Sequence, residues 1–162
     1  MKIHYYVVIC IAFLGCAVNK KTQAFHAYRG DAVGCGNFIV YQLTDDNTEY
    51  VSVAFNAAEV EFNDFQAYGV GKTDVMQVRR LKYKGPIIAS LCNDVMFEKP
   101  ELLIEEAPTQ GTIEILISAE ERAKAKKNQG YRVTVVFKKV VFEDSSIDYL
   151  RIEDVYVGWL PG

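Results

Sequence analysis

Histidine, the side chain whose proton equilibrium lies closest to neutral pH, occurs only twice in the 162 residues, as His4 and His26. His4 adjoins an apolar N-terminal run, and His26 sits in or near a short polar stretch. Ser-His-Asp and Cys-His catalysis both need an imidazole held rigidly against the nucleophile, so neither is expected, and zinc sites of the usual Cys and His kinds are excluded on the same count. Gly69-Val70-Gly71-Lys72 lacks the spacing and the strand–loop–helix frame of a phosphate-binding loop and reads as a turn. Carboxylates are the remaining chemical resource. Asp45, Asp46, Asn47 and Glu49 offer oxygen ligands for calcium, but the segment lacks the glycine and late glutamate of an EF-hand loop and reads as a solvated hairpin turn. Glu105 with Glu106, and Asp144 with Asp148, are the candidate pairs for glycoside hydrolysis, which requires two carboxyls at a defined separation. Adjacency in sequence does not supply that separation, and both pairs read as solvated strand edges. Tyr41, Tyr68, Tyr83, Tyr149, Tyr156 and Trp159 would suit a ligand or carbohydrate surface, although aromatic residues are equally at home filling a β-core. No catalytic residue, metal ligand or cofactor is assigned, and the binding residues stay unknown.

The cysteines carry more information, and their meaning depends on the N-terminus. Lys2 supplies a positive charge, and residues 5–14 form an unbroken apolar run that is too short to span a bilayer as a helix but suits the core of an export signal. The run closes on Phe13-Leu14-Gly15-Cys16. This resembles the lipobox of bacterial lipoproteins in a degenerate form. The resemblance implies a signal peptide over 1–15 and a diacylglycerol on the thiol of Cys16, which becomes the new N-terminus. The alternative is simple cleavage after Ala17 or Ala24. Cys10 leaves with the signal and Cys16 is the lipidation candidate, so Cys35 and Cys92 remain as an even pair in a chain sent to an oxidising space. A disulfide between them is expected, with two buried free thiols as the alternative. Such a bridge would contribute about 4 kcal/mol in the chain-entropy model.

The elements that must position these groups are β-type. Half of the residues are apolar, which at this length suits one domain with a real core. Segments 37–43 and 49–55 flank an Asp/Asn-rich turn and predict a hairpin; residues 56–71 are ambiguous between helical turn and strand. Strands are expected over 75–84, 87–91 and around 102–104, with Pro100 and Pro108 as punctuation. Ile113, Ile115 and Ile117 alternate within 112–118, and Ser118-Ala119-Glu120-Glu121 has the spacing of a capping box. A short helix around 119–128 therefore connects to a strand over 131–142. In that strand the apolar positions run Tyr131, Val133, Val135, Phe137 and then Val140, Phe142; the change of parity predicts a β-bulge near Lys138–Lys139. A last strand covers 149–160, with Val155, Val157 and Trp159 in alternation. The fold class is mainly β: an antiparallel β-sandwich or barrel of about eight strands with one short helix. The expected organisation is a signal peptide over 1–15, a lipid anchor and tether over 16–34, and a single β-rich domain over 35–162.

A formal charge of −3 argues against a nucleic-acid partner, because the basic residues occur only as scattered pairs such as Lys126–Lys127. The expected function is a non-catalytic binding or structural module, held to a membrane of the cell envelope by its N-terminal lipid, with a protein or carbohydrate partner. The rivals are a small apolar-ligand carrier in a β-barrel, a secreted inhibitor of another enzyme, and a carboxylate-based hydrolase. A secreted soluble form is the alternative localisation.

Overall fold

The computed structural model describes residues 28–36, 38–55, 66–70, 76–88, 91–92, 98–127 and 129–158. The expected signal segment over 1–15, Cys16, His26, most of 56–71 and Trp159 lie outside the described residues. Among those described, nine strands and one helix follow the chain: β1 (Ala32–Gly34), β2 (Ile39–Leu43), β3 (Glu49–Phe55), β4 (Gln66–Gly69), β5 (Met76–Tyr83), β6 (Leu102–Glu106), β7 (Gln110–Leu116), α1 (Ala119–Ala125), β8 (Tyr131–Val141) and β9 (Ser146–Val157). They form two sheets, β1-β2-β3-β5-β6 and β4-β7-β8-β9, antiparallel at every pairing. This is the sandwich of the two expected architectures. The sheets do not close into a barrel. The space between them is filled by Val40, Val51 and Val53 of one sheet packed with Ile113, Val135, Phe137 and Ile152 of the other, all essentially inaccessible to solvent. The lumen that an apolar-ligand carrier would use is thus occupied by core side chains.

The predicted hairpin is β2–β3, in register from Leu43↔Tyr50 to Ile39↔Ala54. Its turn is stabilised as the Asp/Asn composition implies. One carboxylate oxygen of Asp46 accepts hydrogen bonds from the Thr44 hydroxyl (2.7 Å), the Thr48 hydroxyl (2.9 Å) and the Thr48 backbone N–H (3.1 Å). The Thr44 hydroxyl first, then the Thr48 amide, hold the Asp46 carboxyl below the usual carboxylate range. The predicted bulge also forms. Between Gln110↔Val141 and Thr112↔Lys138, two steps on β7 face three on β8, and Lys139 takes φ +50°. Opposite it, Gly111 has φ +129°, and a methyl there would lie 2.6 Å from the Val140 Cα, so only glycine fits. A second bulge, on β9, places Asp154 at φ +55° between Val133↔Val155 and Val135↔Ile152.

The helix is shorter than expected, ending at Ala125. Ser118 caps it by accepting from the Glu121 N–H at 3.2 Å. Glu121 does not return the bond to the cap. Its carboxylate instead takes the Lys124 ammonium at 2.6 Å and the Arg132 N–H at 2.7 Å, tying the helix to the start of β8. Two further expectations are corrected. The tether does not extend to residue 34: the Gly30 N–H donates to the Leu43 carbonyl (3.0 Å), and β1 adds to the edge of β2. At Gly34 a methyl would lie 1.9 Å from the Tyr156 carbonyl oxygen, so a glycine is what lets β1 approach β9 and join the two sheets along one side. Nor do Ile87 and Ile88 resume a strand. Beyond β5 the chain folds onto the outer face of its own sheet, where Ile87 packs with Tyr41, Leu43, Tyr50 and Tyr83 in a second, smaller core.

The disulfide between Cys35 and Cys92 closes that second core, with Cα atoms 5.2 Å apart. It bonds Cys92 to Cys35, the residue that follows β1. Bridges of this kind persist in oxidising compartments, which is where an exported chain resides. No helix among the described residues is long and apolar enough to cross a membrane.

Candidate functional site

Along β3 and β5 the residues facing the other sheet pair as Phe55↔Met76, Val53↔Val78, Val51↔Arg80 and Glu49↔Lys82. The inward face thus turns from apolar to charged at one end of the sandwich. The β2–β3 turn, residues 84–88 and the β8–β9 turn gather at that end, linked by hydrogen bonds from the Tyr83 N–H to the Thr48 carbonyl (2.8 Å) and from the Ile87 N–H to the Asn47 carbonyl (2.8 Å). Arg80, only 5% exposed, lies at its centre.

Burying a guanidinium is costly unless its donors are satisfied. Glu49 grips Arg80 with both oxygens, at 2.7 Å from Nε and 3.1 Å from Nη2, in the bidentate geometry that best suits the planar fork. Nη1 also donates to Glu106, from β6, and to Asp144 at 2.5 Å, from the β8–β9 turn. Tyr28 completes the set by donating its hydroxyl to Glu49 Oε1 at 2.5 Å. The second oxygen of Glu106 accepts the backbone N–H of Glu143 at 3.1 Å, and the Lys82 ammonium stands 4.0 Å from Glu49. Burial alone would push the Arg80 pKa down, but the hydrogen bonds it donates to Glu49 and Glu106 outweigh that and hold the guanidinium above its ordinary value. Burial, reinforced by the neighbouring Glu49 carboxylate, holds the Tyr28 hydroxyl protonated well beyond the usual tyrosine range.

The cluster joins five separate parts of the chain: the first described residue, strands β3, β5 and β6, and the turn of the opposite sheet. Chemically it is a closed ionic clasp. Both oxygens of Glu49 and of Glu106 are taken up by the guanidinium, the Tyr28 phenol and the Glu143 N–H, and Asp144 gives one oxygen to the same guanidinium. Among the described residues no group of three or more His, Cys, Asp and Glu is arranged to hold a metal ion.

Sequence adjacency misplaced the carboxylates. Glu105 and Glu106 point to opposite faces of sheet one, Glu105 to Arg79 at 3.2 Å and Glu106 to Arg80. Asp148 is exposed on β9, and Asp144 pairs with Arg80. The pair that does converge, Glu106 and Asp144, is 38 positions apart in the numbering. Asp45, Asp46 and Glu49 do not form a calcium loop, because Asp46 caps its own turn and Glu49 turns inward. The aromatic set also divides. Tyr41 and Tyr83 are buried with Tyr50 under the disulfide-bound segment, whereas Tyr149 and Tyr156 belong to the other sheet. The Tyr68 side chain and Trp159 lie outside the description. Arg80 itself was legible in principle: Met76, Val78 and Arg80 share one strand parity, and a lone cation on an apolar face demands partners.

A second feature of the same end is apolar and open. Ile88 is 88% exposed, Leu103 53% and Leu102 43%. Leu102 pairs with Tyr83, Leu103 occupies the irregularity in the β5–β6 register, and β6 is the outer strand of its sheet. The Lys84 N–H donates to the Glu101 carbonyl at 2.9 Å, which ties the segment leading to Ile88 to the start of β6. Compared with protein-family models, curated proteins and solved structures, the chain matches none of them.

Proposed function

We propose that this chain is an exported, non-catalytic binding or structural module, tethered to a membrane of the cell envelope by lipid on Cys16. The observation that carries the non-catalytic part is the saturation of Arg80. Glu49, Glu106 and Asp144, the carboxylates that converge, are spent on pairing Arg80, which supports a structural role for them over the hydrolase alternative. The disulfide supports export, since it belongs to an oxidising compartment. The anchor reading rests on Phe13-Leu14-Gly15-Cys16 and its likeness to a lipobox. Two or more acyl chains on one residue hold a protein stably at a bilayer, where a single chain gives only marginal binding.

The test is metabolic labelling with a radioactive fatty acid in a bacterial host expressing the full chain. Wild type should incorporate label and fractionate with membranes, and Cys16→Ser should lose the label. An unlabelled wild-type protein with Val18 or Phe25 as its free N-terminus would refute the anchor and leave a secreted soluble module.

A further inference from the structure

We propose that Ile88, Leu102 and Leu103 form a membrane-docking rim, which seats the tether end of the sandwich on the bilayer that holds the lipid of Cys16. The inference rests on the anchor reading and adds an orientation and a contact surface to it.

The first support is the position of the first described residue. Tyr28 is inserted between the sheets at the same end as the rim, bonded to Glu49, so the chain from Cys16 must join the domain at that end. The second is length. Cys16 and Tyr28 are twelve positions apart, a reach of at most about 40 Å when fully extended. Strand β9 has 12 residues and is itself roughly 40 Å long. For the opposite end of the sandwich to meet the bilayer, the linker would have to run the full height of the domain with nothing to spare. The tether end meets it without that demand. The third is chemistry. Isolated surface leucines are ordinary, but an isoleucine 88% exposed and two exposed leucines at the same end of the sandwich place apolar area where the membrane is reached first. The charges around it are not those of an electrostatic docking site: Lys84 is paired with Glu101 at 3.0 Å, and Asp45 and Asp46 are exposed nearby. Attraction to anionic headgroups is therefore weak, and insertion of apolar side chains into the headgroup–acyl boundary is the mode that fits.

The experiment uses the full-length protein, purified from membranes and reconstituted into phosphatidylcholine vesicles with or without brominated acyl chains, which quench tryptophan on contact. Trp159 is the single native tryptophan and sets the background. Ile88→Trp and Leu103→Trp report the rim, and Ala123→Trp on the exposed face of α1 reports the far end. Brominated lipid should reduce the emission of both rim variants beyond the wild-type loss, equally at low and high salt, and leave Ala123→Trp at the wild-type level. Retention of the Cys35–Cys92 bridge on non-reducing gels verifies that each variant is folded. Rim variants quenched no more than wild type overturn the docking surface even where fatty-acid labelling shows the anchor intact. Shielding of the rim from aqueous iodide without quenching by brominated lipid also overturns it, because a protein surface or second copy would then be the cover. If the wild type carries no lipid, rim quenching on vesicles added to the soluble protein upholds the rim while the anchor reading falls; no quenching there refutes both.

Discussion

Replacing Arg80 with methionine removes the guanidinium while keeping an unbranched side chain of similar length, and the structure sets the expected cost. Glu49 and Glu106 have side chains only 11% and 13% exposed, so the variant strands two carboxylates that cannot reach bulk water. Breaking a buried ion pair by deleting one partner typically costs about 3–5 kcal/mol. Asp144, whose side chain is 58% exposed, simply returns to solvent and adds about 0–1 kcal/mol, the range for surface pairs. Tyr28 still donates to Glu49, and Lys82 stands close enough to screen it in part, which places the expected loss toward the lower half of the buried range. Against a total of about 5–15 kcal/mol for an ordinary domain, Arg80→Met should be marginally folded at neutral pH. Urea unfolding with the disulfide intact, followed by circular dichroism, measures the loss. The partner variant Asp144→Asn should lose under about 1 kcal/mol and so separates the buried from the exposed arm. The double variant Arg80→Met/Glu49→Gln should lose less than the two single losses combined, since residues in one ionic network couple by about 0.5–3 kcal/mol. A loss below about 1 kcal/mol for Arg80→Met, or strict additivity with Glu49→Gln, would show that Arg80 and its buried carboxylates are not the coupled network described.

Mass spectrometry of the non-reduced protein should recover Cys35 and Cys92 in one cross-linked peptide, and Cys35→Ala/Cys92→Ala should lose about 4 kcal/mol for the 57-residue separation; quantitative alkylation without reduction would refute the bridge. Ser118→Ala should cost about 1 kcal/mol through the lost cap. Ile115→Ala, in the core between the sheets, should cost about 2–5 kcal/mol, and equal negligible effects would mean that this connection is misassigned. Burial raises the pKa of Tyr28, Tyr50 and Tyr131 above that of free tyrosine. Their folded-state contribution is therefore fully present below about pH 10 and is lost as the pH rises beyond it, because the unfolded chain then binds fewer protons than the folded one. Absorbance at 295 nm should show these phenols ionising only as the far-ultraviolet signal collapses; normal titration of every tyrosine in the folded state would contradict the packing.

Local patterns carried most of the fold. The Asp46 turn, the Ser118 cap and the bulge at Lys139 were all legible, because each is decided by a few neighbouring residues and a fixed period of two or 3.6. The parity change from Phe137 to Val140 located the bulge because a core sheet tolerates no other account of it. The same reasoning applied to β9 would have exposed its own irregularity, since Ile152 and Val155 are both buried yet differ in parity. The misreadings have a common cause of the opposite kind. Ile87 resembles a strand residue but is buried by packing on the outside of a sheet rather than by pairing within it, and Tyr28 resembles tether but is held by Glu49 across the fold. Local composition does not encode a partner contributed by another layer.

The clasp shows why the candidate site was harder to read than the fold. Each of its carboxylates has an ordinary surface explanation when viewed alone: Glu49 follows a turn, Glu106 precedes a proline-containing connection, and Asp144 begins a tight turn between strands. What distinguishes them is that one buried cation needs them all, and that requirement arises only where sheet order sets β3, β5 and β6 side by side and the sandwich brings the β8–β9 turn across from them. Arg80 and Glu49 are the members whose positions were anomalous in sequence, as charges on the inward parities of β5 and β3. Burial makes such a cation the organiser of its surroundings, because the cost of leaving its donors unpaired exceeds what any exposed ion pair contributes. Tyr28 extends the consequence to the N-terminus. With its ring in the inter-sheet core and its hydroxyl on Glu49, this first described residue is fastened to the same cluster that Arg80 organises.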